Sequence, residues 1–305
     1  MQTSASTTEK VLFWREFWIL FGAGLIAAAA LAAISHLPTT AIAIFFFVKG
    51  GSNESTLLGI AAAETVIGLS LTVGLGLLAA RSIGLGAQVL EKILQREPIG
   101  PYVRAALVPV LLVGISIGVW GEVPSLPVFH PNRELIQRRA DQLLKSPAGA
   151  NAEKFVERTA GRPLTNVYLG PFYLSEAISG ELTRRLFLLS GIAWILIKIS
   201  RAAPGTAPAA ALWIAIILVP FLGAMPYLVL HYAYERLFSD AIGGIPIATD
   251  PFWLVATRLL VGSIPAGIGL GWLYIRRGLE AAITAATVGG VVAHLTAIFV
   301  LPHFY

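Results

Sequence analysis

Runs of about 20 apolar residues recur along the chain and limit its possible folds more than any other feature. They occupy residues 18–35, 57–80, 103–120, 172–199, 207–230, 252–275 and 281–301. Runs of this length are typical of membrane-spanning helices, because a helix satisfies its own backbone hydrogen bonds inside hydrocarbon. Only 13% of the 305 residues are charged, too few for a surface that faces water on all sides. The sequence therefore predicts an all-α, polytopic transmembrane helix bundle with seven spans, with eight as the alternative.

One long polar stretch divides the apolar runs into two groups. We predict a three-span membrane region over residues 1–120, an extramembrane loop over 121–170, and a four-span core over 171–305. Within the loop, RELIQRRADQLL and AEKFVERTA have the spacing of amphipathic surface helices. The loop is either a docking segment or a solvated connector. A shorter apolar run at residues 41–48 is interpreted as re-entrant, interfacial or a bent extension.

The basic residues lie mainly beside the ends of the apolar runs, so the net charge of +5 does not indicate a nucleic-acid partner. Basic residues in short loops mark the cytoplasmic side of a membrane protein. With seven spans and a cytoplasmic N-terminus, one side would receive Lys10, Arg15, Arg81, Lys92, Arg96, Arg104, Lys198, Arg201, Arg276 and Arg277. The long loop departs from this pattern, since it also carries basic residues mixed with acids. We expect an integral protein of the bacterial inner membrane, in contact with its lipid bilayer.

The fourth span carries more charge than a lipid-facing helix tolerates, because charged groups at bilayer depth normally face the bundle interior. Its charged residues are Glu176, Glu181, Arg184 and Arg185. Glu181 and Arg185 are four residues apart and can pair, and Glu176 shares a helix face with Gly180 by the same spacing. The pattern fits either a structural ion pair near the membrane surface or a polar site within the bundle.

Three further polar residues lie in or beside the later spans. Arg258 has apolar neighbours and needs an acid, such as Glu181 or Glu235, or backbone carbonyls as partners. In the same span, the glycines of GIGLG at residues 267–271 predict close helix packing. His231 and His294 are interpreted as hydrogen-bonded structural residues. With no cysteine and no known metal-binding motif, we expect neither a metal site nor a cofactor.

Three segments in the last 130 or so residues resemble one family of membrane proteins. They are RLFLLS at 185–190 with Trp194 beyond, ALWIAI at 211–216, and GWLYIRRGLEAAI at 271–283. The last is similar to the GWLYxRRGLEAAM segment of the CPBP family, the CAAX-protease and bacteriocin-processing (Abi) intramembrane endopeptidases. The first two resemble the helices that carry that family's E-E-x-x-x-R and F-x-x-x-H motifs. The resemblance implies a CPBP-like helix bundle.

In that family, the first Glu of E-E-x-x-x-R activates a water molecule. A His in F-x-x-x-H, a second His and an Asn or Asp four residues later complete a polar chamber. Matched position by position, this chain retains Glu181, Arg185 and Phe221. The first Glu, the two His and the Asn or Asp are replaced by Gly180, Met225, Ala286 and Gly290, respectively. None of these replacements can act as a general base.

The resemblance and its departures lead to two functional hypotheses. The first is an inactive protease homologue, a pseudoenzyme that binds or scaffolds another membrane protein, a lipid or a lipidated peptide. The alternative is an active CAAX-type intramembrane endopeptidase with a rearranged site, which uses Glu176 or Glu181 together with His231 or His294. A transporter would also suit intramembrane charges, but the sequence contains no internal repeat.

Overall fold

The computed structural model describes residues 7–35, 54–129, 169–200, 208–241 and 252–304. The described residues form helices and no strands, as the sequence predicts. The helices are α1 (Thr7–Ser35), α2 (Glu54–Ser82), α3 (Gln88–Leu94), α4 (Gly100–Gly121), α5 (Leu169–Glu181), a π-helical segment (Leu182–Leu189), α6 (Ser190–Ile199), α7 (Ala209–Ala241), α8 (Phe252–Arg277) and α9 (Leu279–Phe299). The predicted short apolar run and both amphipathic surface helices lie outside the described residues.

Five of these helices, α1, α2, α4, α8 and α9, are long and apolar enough to cross a membrane. The part of α7 that is apolar, Ala209–Met225, is shorter. The predicted fourth span is divided among α5, the π-helical segment and α6. The prediction of membrane-spanning helices is therefore confirmed, and the protein has the architecture of a helical integral membrane protein.

Two sets of contacts define the two ends of the bundle. We call the end of the bundle at which α2 finishes the basic end. There, Arg81 of α2 contacts Glu16 of α1, with 2.6 Å between Nη2 and Oε2. Also at this end, the Leu279 amide of α9 donates a hydrogen bond of 3.1 Å to the Gly86 carbonyl. At the opposite end, Trp120 Nε1 of α4 donates to the Val261 carbonyl of α8 at 2.7 Å. Thus α2 and α8 run towards the basic end, whereas α1, α4 and α9 run away from it.

The segment with the GWLY pattern connects α8 to α9 and anchors α3 to both. Gly278 has a φ of 82°, and a Cβ atom there would lie 3.0 Å from the Gln88 backbone nitrogen. Only glycine meets both conditions without strain. Glu280 then accepts a hydrogen bond of 2.7 Å from the Leu90 amide in the first turn of α3. The carboxylate caps that helix from a distant part of the chain, which gives this part of the pattern a structural reason.

Glycines allow two pairs of helices to approach closely. On α4, a Cβ atom at Gly118 would lie 2.6 Å from the Gly289 carbonyl oxygen of α9. On α8, a Cβ atom at Gly267 would lie 2.0 Å from Pro220 Cγ of α7. Small residues at such crossings let the backbones of membrane helices meet. The predicted glycine seam on the sixth span is therefore confirmed as a packing surface.

The π-helical segment shifts the register of the fourth span just after Glu181. Within it, Leu182, Leu186 and Leu189 are buried. Ser190 Oγ donates to the Arg185 carbonyl at 3.3 Å and shares a hydrogen bond of 2.7 Å with the Tyr274 hydroxyl. The sequence does not reveal this segment, because its apolar residues would also suit a continuous α-helix. π-Helical insertions frequently occur at functional sites.

Candidate functional site

A cavity of about 210 Å³ lies among α4, α5, α8 and α9, between the bundle centre and the opposite end. Its lining residues are Ile117, Gly121, Tyr173, Glu176, Ala177, Gly180, Glu181, Arg184, Gly262, Ala266, Leu270, Ala286, Gly289, Gly290 and Ala293. At about 30 Å³ per molecule in liquid water, the volume equals that of about seven water molecules. We refer to this space as the chamber.

One wall of the chamber is polar and comes from α5 and the π-helical segment. Tyr173, Glu176 and Gly180 follow one another at spacings of three and four residues, so they share one face of α5. Arg184 lies four residues after Gly180 and interacts electrostatically with Glu176. The predicted shared face of Glu176 and Gly180 is confirmed, and it faces the chamber.

The predicted pair of Glu181 and Arg185 is confirmed and lies in the bundle interior. Arg185 Nε lies 3.1 Å from Glu181 Oε2, and both side chains are at most 2% exposed. The two atoms do not have hydrogen-bond geometry, and neither has another hydrogen-bond partner among the described residues. Arg185 Nη1 likewise has no acceptor in the described part of the chain. A buried pair with unmet hydrogen bonds is costly to the fold, which favours a role beyond stability.

The facing wall is built from small residues. Nine of the fifteen lining residues are glycine or alanine, and four of these, Ala286, Gly289, Gly290 and Ala293, come from α9. This wall therefore offers space and an apolar surface but no side chain that can transfer a proton.

The two glycines at altered family positions differ in the space around them. A Cβ atom at Gly180 would meet only the flexible end of Arg184, at 3.4 Å or more. At Gly290, a Cβ atom would lie 2.3 Å from Cδ1 of Tyr173. A side chain can therefore be added at Gly180, whereas at Gly290 the Tyr173 ring takes its place.

The structure brings three of the four altered family positions together. Gly180, Ala286 and Gly290, on two different helices, all line the chamber. Met225 does not line it, and its side chain is 51% exposed on α7. Phe221, also on α7, is half-buried and is not a lining residue. The altered positions thus converge from α5 and α9 but not from α7.

The residues of the rearranged site are only partly assembled. Glu176 and Glu181 both line the chamber. His294 is half-buried behind Tyr173, with 6.1 Å between the two ring centroids, and does not reach the chamber wall. Glu122, at the end of α4, interacts electrostatically with His294. The His231 side chain lies outside the described part of the structure.

Arg258 is held at the opposite end and not at the chamber. Its Nε donates a hydrogen bond of 2.8 Å to the Phe129 carbonyl. The expectation of a backbone carbonyl partner is therefore confirmed, while Glu181 pairs with Arg185 instead. Glu235, the other expected partner, has a side chain outside the described residues.

Sequence reasoning gave no role to two residues of the polar wall. Tyr173 lies three residues before Glu176, and Arg184 lies four residues after Gly180, so helical spacing could have found both. Helical spacing could not have identified Glu122, because this residue follows α4 and belongs to the polar stretch of the sequence.

Within the described residues, no group of three or more His, Cys, Asp and Glu side chains could hold a metal ion. In comparisons with known proteins, the chain matches no protein-family profile, no curated protein and no solved structure.

Proposed function

We propose that this chain is a CPBP-like membrane protein without peptidase activity, whose chamber binds an apolar group of a membrane-protein or lipid partner. The observation that carries this proposal is the composition of the chamber: two carboxylates and an arginine face a wall of glycine and alanine. No histidine lines the chamber among the described residues.

Peptide hydrolysis needs a base that takes a proton from water, an acid for the leaving group and donors for the oxyanion. Glu181 is engaged with Arg185 at 3.1 Å. Glu176 interacts with Arg184. Both carboxylates are thus next to guanidinium groups, and among the described residues no histidine lines the chamber beside them. The small wall supplies no side chain for the acid role.

The shape of the chamber favours a small apolar ligand group. The chamber volume of about 210 Å³ is large enough for a large side chain or for the end of an acyl or prenyl chain, but not for a whole lipid molecule. An apolar group would lie against the α9 wall and leave the carboxylates to the polar part of the ligand. The partner class is a membrane protein, a lipid or a lipidated peptide.

The proposed topology has seven membrane crossings, which adds the fourth span and α7 to the five apolar helices. The basic end then faces the cytoplasm, in agreement with the rule for basic residues in short loops. The chamber lies in the half of the bundle away from the cytoplasm.

Filling the chamber tests the binding function. Ala286→Leu should fill space next to Gly290, while Ala105→Leu adds the same atoms to an exposed position on α4. After purification in mild detergent, native mass spectrometry should detect a stoichiometric ligand or partner on the parent and on Ala105→Leu. Its loss from Ala286→Leu alone supports the proposal. Equal retention by both variants contradicts it.

A second candidate function is an active endopeptidase with a relocated base. The observation in its favour is that Glu176 and Glu181 line the same chamber. Glu176, on the same face as Gly180, would activate water, with Arg184 and Tyr173 as oxyanion donors. This candidate requires cleavage of a membrane peptide that Glu176→Gln or Glu181→Gln abolishes.

A further inference from the structure

An open groove of about 610 Å³ lies on the outer surface at the basic end, between the beginning of α1 and the end of α3. Its α1 residues form two adjacent helical columns, with Leu94 of α3 as the other wall. The lining residues are Lys10, Val11, Trp14, Arg15, Trp18, Ile19 and Leu94. Along α1, Lys10 and Arg15 alternate with Val11 and Trp14, and after Arg15 only the apolar residues Trp18 and Ile19 line the groove.

Unlike Arg81 and Lys92, the two cations of this groove have no acidic partner within the part of the chain that the structure describes. Arg81 is paired with Glu16, and Lys92 with Glu97, both at 2.6 Å. By contrast, Lys10 and Arg15 form no ion pair with any residue that the structure describes. Both are exposed. The groove therefore presents two exposed positive charges that no described acidic side chain neutralises.

The apolar part of the groove is also exposed. Trp14 and Trp18 are 54% and 60% exposed, although each packs edge-on against Phe17. Tryptophan is enriched where a membrane protein meets the headgroup region, because its ring is apolar and its N–H is polar. Lys10 and Trp14, which lie one helical turn apart, thus combine a cation with an aromatic residue of the type found in the headgroup region.

We propose that this groove is a binding site for an anionic phospholipid of the surrounding leaflet. The phosphate would lie between Lys10 and Arg15, and the acyl chains would run along Trp14, Trp18 and Ile19. A zwitterionic lipid brings its own cation to this position, where two positive charges already lie without an acid. Charge complementarity therefore selects a lipid with a net negative headgroup. This site is on the outer surface and is independent of the chamber.

Native mass spectrometry of the delipidated full chain tests this site with two lipids that share their acyl chains, phosphatidylglycerol and phosphatidylcholine. The first phosphatidylglycerol should bind about tenfold more tightly, because two basic residues contact it. The preference should disappear in Lys10→Gln/Arg15→Gln. It should persist in Arg104→Gln/Lys198→Gln, which also removes one Lys and one Arg.

Three results would overturn the proposal. One is equal binding of the two lipids to the parent, and another is the same loss of preference in both double variants. The third is tighter phosphatidylglycerol binding after removal of residues 1–6, which would show that the chain's own N-terminal segment occupies the groove. As a second measurement, brominated phosphatidylglycerol should quench the tryptophan fluorescence of the parent more than that of Trp14→Phe/Trp18→Phe.

Discussion

The predicted fourth span carries two charges in the bundle interior, Glu181 and Arg185, whose burial costs desolvation free energy. Glu181 and Arg185 are about as buried as the core leucines beside them. Removal of two charges from water costs several kcal/mol per ion, and a pair recovers this only with good geometry and additional hydrogen bonds. Here the hydrogen bonds are incomplete, so the pair is a poor source of stability.

Removal of one member of this pair should destabilise the protein more than replacement of both members by apolar residues. We expect Glu181→Gln and Arg185→Met each to cost about 3 kcal/mol, because each leaves one buried charge without a partner. The double variant Glu181→Leu/Arg185→Met should be closer to the parent. Thermal unfolding in detergent measures all three, with Lys92→Gln as a surface control that breaks an exposed pair and costs at most about 1 kcal/mol. A double variant less stable than either single variant would contradict this interpretation.

Alanine at Gly180 and alanine at Gly290, two of the glycines that line the chamber, should have opposite effects on stability. Gly180→Ala meets only the end of Arg184 and exchanges a poor helix former for a good one, so stability should be unchanged or increase by up to about 1 kcal/mol. Gly290→Ala places a methyl group against the Tyr173 ring and should cost about 1–3 kcal/mol. Unfolding midpoints of the two variants check the difference. Equal midpoints would mean that the Tyr173 ring does not pack against α9.

Among the helices, α4 and α9 form the closest pair that borders the chamber. Gly114 and Gly118 of α4 lie one helical turn apart and face Ala285 and Gly289 of α9. This contact sets the distance between two walls of the chamber. Changes at the crossing should therefore affect both stability and the chamber.

Gly118→Ala should destabilise the protein by about 1–3 kcal/mol, because its Cβ atom would lie 2.6 Å from the Gly289 carbonyl and must separate the helices. Gly22→Ala on α1 is the matched control, since nothing lies within 4 Å of the added atom. We expect the control to be neutral or slightly stabilising in the same unfolding assay. If both variants unfold at the parent temperature, the close crossing of α4 and α9 is wrong.

The sequence predicts the elements better than their internal geometry. Apolar length is sufficient to locate α1, α2, α4, α8 and α9 because hydrocarbon requires continuous helices. The beginning of α1 at Thr7 was missed by the predicted span, because its first turns are polar and amphipathic. The π-helical segment was missed because burial of Leu182, Leu186 and Leu189 is compatible with either helix type.

For the whole molecule, the absence of cysteine makes the topology directly testable. A single cysteine at Glu97 marks the basic end, and one at Val128, which is 75% exposed, marks the opposite end. A membrane-impermeant maleimide should label Val128→Cys in intact cells and Glu97→Cys only after permeabilisation. Labelling of both, or of Glu97→Cys alone, in intact cells would contradict a cytoplasmic basic end.

At the same scale, the sequence predicted the convergence of distant positions only in part. Gly180 shares the chamber with Ala286 and Gly290, more than 100 residues later, as the alignment to the family motifs led us to expect. Met225 failed to join them because its side chain lies on the exposed surface of α7. His294 also does not line the chamber, whereas the Tyr173 ring, 6.1 Å from the His294 ring, does. The spacing of residues along the sequence indicates which of them share a helix face. It does not indicate which neighbouring element packs against that face.

Peptide hydrolysis by the purified chain in liposomes is the most direct measurement of whether the chamber can transfer protons. The parent, Glu176→Gln and Glu181→Gln should be incubated with the same prenylated and single-span membrane peptides, and the products quantified by mass spectrometry. Our account predicts the same background level of product for all three proteins. Cleavage by the parent that either glutamine variant abolishes, with its fold intact, would contradict it.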